Sequence, residues 1–69
     1  MTDDEREAVI ADTQTEIERQ VALARNEACL VRRGAHRDEA RRLASEVAQL
    51  VAGRSPEVVL KLELARGLA

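Results

Sequence analysis

The chain is 69 residues long, carries 11 basic against 13 acidic side chains for a net charge of -2, and contains no Phe, Tyr or Trp. A chain this short holds one domain, residues 1–69, with a core near the lower limit of self-sufficiency, and without aromatics it lacks the side chains that bury the most area. One cysteine, Cys29, excludes an internal disulfide, and one cysteine with one histidine, His36, is too few for a structural zinc site. No metal or cofactor is expected, and the support left for so small a core is another chain.

The charge is unevenly spread. Residues 1–18 hold Asp3, Asp4, Glu5, Glu7, Asp12, Glu16 and Glu18 against Arg6, a net of -6. Residues 19–54 hold eight arginines against Glu27, Asp38, Glu39 and Glu46, a net of +4. No apolar run approaches the ~20 residues of a membrane span, and the N-terminus is acidic where a signal peptide begins basic. A soluble, cytoplasmic protein with no membrane partner is the expectation.

In chain order, Thr2 with Glu5 three residues on has the form of a capping box, and the acids around it suit the positive end of a helix dipole. The apolar residues Ile10, Ile17, Val21, Ala24, Ala28 and Val31 then recur at helical spacing, predicting a long helix over about 3–33 with this row buried. Thr13, Gln14 and Thr15 are weak helix formers, and Thr13 with Glu16 makes a second capping box. A break there is the rival to a continuous helix. Arg32, Arg33 and Gly34 resemble a helix end, with cations in the last turn and then a glycine, so a turn is expected at Gly34 to His36.

A second helix over about 37–52 follows from Ala40, Leu43, Ala44, Val47, Leu50 and Val51, with Gly53 as its stop. Its short connection makes it the antiparallel neighbour of the first. Ser55, Pro56 and Glu57 are an N-cap, a first-turn proline and a first-turn acid, predicting a third helix over about 56–66 ended by Gly67. The alternation Leu60, Lys61, Leu62, Glu63, Leu64 is the competing strand signal, but a lone strand would have no sheet to join. The expected fold is all-α: an antiparallel helical hairpin of a long first helix and a second, plus a short C-terminal helix.

Candidates for chemistry are few. Cys29 and His36 lie seven residues apart with no orienting acid or oxyanion motif, and there is no phosphate loop, metal-spaced Cys/His pair or nucleophile elbow. An enzyme with a small-molecule substrate is not expected. The apolar residues in excess of one buried stripe are Leu23 and Leu30 on the first helix and Leu60, Leu64 and Leu68 on the third, and these are the candidate protein-binding residues. The alternative is a nucleic-acid-binding hairpin dimer using Arg33, Arg37 and Arg41 along phosphates, opposed by the acidic net charge and the absence of stacking aromatics.

The acidic Met1-Thr2 start, the row Ile17, Val21, Ala24 and Ala28, the Arg33-Gly34 pair, and Leu43, Val47 and Leu50 together resemble the YscE-type co-chaperones of type III secretion systems. The resemblance covers roughly residues 1–52. It implies a hairpin that pairs with a TPR-like chaperone to keep a needle subunit from polymerising before export. The sequence departs from that pattern in its missing aromatics and its strongly capped third helix. The functional expectation is a small protein-protein interaction module, either a co-chaperone or adaptor with a hetero-partner, or a self-assembling component such as a phage protein.

Overall fold

The computed structural model describes residues 1–67, so Leu68, one of the five candidate binding residues, lies outside the described residues. The fold is all-α, with α1 over Asp3–Asn26, α2 over Leu30–Ala52 and α3 over Pro56–Ala65. Two of the three starts form as their side chains dictate. The Thr2 hydroxyl accepts from the Glu5 N–H at 3.2 Å, and the Ser55 hydroxyl accepts from the Val58 N–H at 3.3 Å, with Pro56 opening α3. α1 runs unbroken through Thr13 to Thr15, so Thr13 caps no second helix, and the Thr15 hydroxyl bonds back to the Ala11 carbonyl at 3.1 Å within the same helix. The segment with the strand-like alternation is helical, and Gly67 beyond it takes a left-handed φ of 73°.

The turn between α1 and α2 corrects the sequence expectation. It falls at Glu27 to Cys29, not at Gly34, and α1 therefore ends at Asn26 and not near Arg33. Side chains make this reversal. The Glu27 carboxylate accepts from the Cys29 N–H at 3.0 Å and pairs with Arg32 at 3.2 Å. Arg33 reaches back to the Glu27 carbonyl with Nε at 3.1 Å and Nη2 at 2.9 Å. A guanidinium thus takes over an orphan carbonyl at the end of α1. Gly34 sits inside α2, with open space where a Cβ would project. The resulting helices have 24 and 23 residues, so each turn of one has a turn of the other to pack on.

The buried row is likewise different from the one the apolar letters suggest. Along α1 and its C-cap the row of buried or half-buried side chains facing α2 is Arg6, Ile10, Thr13, Ile17, Gln20, Ala24 and Glu27, an alternation of fours and threes, with Glu7 and Glu16 half-buried beside it. On α2 they are His36, Ala40, Leu43, Val47 and Leu50, and Arg54 continues the row just past its end. This is the heptad spacing of two helices packed along a seam. Val21, Ala28 and Val31, expected on the buried row, face outward, as do Ala44 and Val51 of α2. Among the described residues, the hydrophobic ones that become buried are Ile10, Ala24 and Leu43.

Two polar links of long sequence separation fix the antiparallel register. Gln20 meets His36 near the turn, and Arg54 forks Glu7 at the open end, Nε to Oε2 at 3.0 Å and Nη2 to Oε1 at 2.9 Å. α3 leaves from that open end, held there by the Ser55 hydroxyl on the Asp3 carboxylate at 3.2 Å. The Cα envelope is 45 × 26 × 15 Å with a radius of gyration of 15.1 Å, where a globular chain of this length would have about 11 Å.

Gly34→Ala should raise stability by about 0.5–1 kcal/mol, because a glycine inside a helix with room for a methyl only adds entropy to the unfolded chain. A glycine serving as a left-handed cap would respond with a loss. Leu43→Ala, which opens the middle of the seam, should cost about 2–3 kcal/mol. Urea unfolding followed by far-UV circular dichroism reads both.

Candidate protein-binding surface

The two sides of the hairpin carry different electrostatics. On one side, Arg19 forks Glu16, Nη2 to Oε1 at 2.9 Å and Nε to Oε2 at 3.0 Å, and Gln20 Nε2 donates to Glu16 Oε1 at 3.0 Å. Glu16 is an acceptor only, so Gln20 turns its amide oxygen toward the seam, where it receives the N–H of His36 Nδ1 at 2.7 Å. The buried Gln20 is thereby satisfied at both ends of its amide. On α2 the same side continues with Arg42, which bridges Glu39 and Glu46.

These contacts move the carboxyls in one direction. The Arg19 guanidinium, followed by the Gln20 amide, lowers the Glu16 carboxyl from 4.5 to about 2. The Cys29 N–H, with Arg32 after it, lowers Glu27, and Arg42 lowers Glu39. Each is a charged form held by hydrogen-bond donors, not a group poised to exchange protons.

On the opposite side, Val21, Ala24, Arg25, Arg37, Ala40 and Arg41 line a shallow depression of about 270 Å³. Arg25 and Arg37 have no ion-pair partner among the described residues, and Arg41 has only Asp38 at 3.8 Å, both side chains being exposed. Of the arginines expected to face phosphates, Arg37 and Arg41 are thus neighbours, while Arg33 is spent on the Glu27 carbonyl. Arg25 belongs with them and was not legible as such, because it sits on the other helix. Among the described residues no three His, Cys, Asp or Glu side chains converge. Cys29 and His36 stand two turns apart, about 10 Å along the axis, which is beyond proton transfer between them.

The candidate binding leucines separate to the ends of the molecule. Leu30 is 76% exposed beside Val31 at 81%, both at the turn. Leu60 and Leu64, one helical turn apart, are 52% and 57% exposed on the outer row of α3, whose other row, Val58 and Leu62, is half-buried. Leu23 lies on α1 near the turn and is exposed. Val51, Arg54, Val59, Leu62, Glu63 and Arg66 enclose a second depression, of about 190 Å³, where α3 meets the end of α2. The turn and α3 are separated by the length of the hairpin, about 36 Å, so the leucines form two patches and not one.

No helix of the described residues is long and apolar enough to cross a membrane. Comparison with protein-family models, with curated proteins and with solved structures finds no match to this chain.

Because Glu16 has its pKa lowered on folding, it contributes stability that is complete above 4.5 and is lost as pH falls toward about 2. Glu27 and Glu39 act in the same direction. Thermal unfolding at a series of pH values should therefore show the midpoint falling across that window, and Glu16→Gln should make the fall shallower while leaving the remaining slope in place.

Proposed function

We propose that this chain is a non-enzymatic protein-protein interaction module, completed by another chain that buries the apolar rows its own fold leaves out. The observation that carries this reading is the surface. The chain exposes 5222 Å², where a globular monomer of 7.6 kDa would expose about 4,300 Å². Large apolar side chains at both ends of the molecule contribute to that excess. Apolar burial contributes about 25 cal/mol per Å², so covering them would add stability that a seam with three buried hydrophobic side chains among the described residues lacks.

In mechanism, α1 and α2 form a preorganised two-helix platform and α3 presents Leu60 and Leu64 outward, the i, i+4 pattern by which a helix enters an apolar groove. A groove lined by helices, of the kind the resemblance to YscE-type co-chaperones implies, has the matching chemistry. The paired carboxylates and guanidiniums on the Glu16 side stay in water and keep that face from sticking.

Leu60→Asp with Leu64→Asp tests the reading. The wild-type full chain, tagged and chemically cross-linked in its source cells, should be recovered in a defined complex, and the double variant should lose that complex while keeping its helical circular dichroism. Recovery of the same cross-linked complex with the double variant would overturn the proposal.

A further inference from the structure

The two ends of the molecule are complementary to each other. The turn end, residues 19–42, carries seven arginines against Glu27, Asp38 and Glu39, a net of +4 that includes Arg19, held by Glu16 just across the boundary, and exposes Leu30 and Val31. The open end combines residues 1–18, at a net of -6, with the neutral remainder of α2 and α3, and exposes Leu60 and Leu64. One chain cannot bring these ends together, because both helices of the hairpin are continuous. A second copy laid antiparallel can.

We propose that the chain self-associates as an antiparallel two-fold pair, in which the turn of each copy, with Leu30 and Val31, covers α3 of the other and the Arg25, Arg37 and Arg41 side faces its acidic α1. The proposal rests on the interaction reading above and names the partner. Two-fold symmetry makes both contacts at once and leaves neither end open, whereas the same turn-to-α3 contact without that symmetry would propagate into a filament. Charge adds orientation, since a parallel pair would set +4 against +4 and -6 against -6.

The native cysteine is placed to test the geometry. Cys29 immediately precedes Leu30 at the turn and forms no disulfide within the chain. In the antiparallel pair it lies near α3 of the other copy and far from the other Cys29. Light scattering with refractive-index detection, suited to a chain without aromatics, should give twice 7.6 kDa, moving toward the monomer as salt shortens the reach of the charges. Leu64→Asp should raise the dimer Kd at least tenfold with helicity unchanged. A short bismaleimide should join Cys29 to the new thiol of the Leu60→Cys variant on the second copy, and should leave wild type uncoupled.

A Cys29 to Cys29 product in wild type would mean turn-to-turn pairing and would overturn the proposal, as would a dimer indifferent to Leu64→Asp. A helical monomer at every concentration would also overturn it. If that monomer still formed the Leu60- and Leu64-dependent complex in cells, only self-pairing would fall and the interaction reading would stand. Loss of both would remove the two together.

Discussion

Two helices lying side by side can each bury one stripe, and that constraint governs everything else in this molecule. A third layer would enclose the outer faces, but α3 is ten residues long and hangs from the open end by Ser55 on Asp3 and by the Arg54 to Glu7 fork. The seam must therefore supply both stability and register by itself. It does so with small and medium aliphatic side chains interleaved with polar ones every seven residues: Arg6, Thr13 and Gln20 on α1 and Glu27 at its C-cap. An all-aliphatic seam of Ala, Ile, Leu and Val would tolerate a slip by one heptad. A Gln20 amide that must find His36, and a Glu7 that must find Arg54, do not. Specificity of register is obtained here at some cost in buried apolar area.

That trade explains which parts of the fold were legible in the sequence. The starts of α1 and α3 were, because Thr2, Ser55 and Pro56 announce themselves by chemistry that acts within one turn. The reversal at Glu27 to Cys29 was not. It is made by a Glu side chain folding onto the next turn's N–H and an Arg reaching back six residues, and neither residue type carries a turn signature. Gly34 and the arginines before it imitate a helix end closely. What separates the two positions is global: a turn at Gly34 would leave the excess length of α1 with no helix beside it. The inner row was misread for a related reason. Selecting only apolar letters picks Val21, Ala28 and Val31, whereas the alternation of fours and threes passes through Thr13 and Gln20.

The exposure of the candidate leucines was legible, but their arrangement was not. Leu60 and Leu64 do form an outward row on α3, because a ten-residue helix with two apolar rows can turn only one of them inward. Leu23 and Leu30 were grouped with them by composition, and only the hairpin shows that they belong to the other end. The cluster of Arg25 with Arg37 and Arg41 needed the register as well, since it is assembled across the seam from residues twelve and more apart. Arg33, which composition placed in the basic cluster, turns out to serve the chain's own backbone.

The distribution of what remains outside carries the last step. Exposed apolar side chains scattered over a small protein have no directional meaning. Here the most exposed of those in the three helices, Leu30, Val31, Leu60 and Leu64, lie at the turn and on α3, and the same two ends hold opposite charge. An elongated body polarised in this way has its own least repulsive neighbour in a reversed copy, and a bundle of four helices built so would enclose the Arg25, Arg37 and Arg41 depression that the hairpin leaves open. In the proposed pair, folding and association would become one equilibrium. Each copy would supply apolar cover that the other lacks, so the stability of the hairpin would depend on its concentration, and the midpoint of unfolding would follow by mass action.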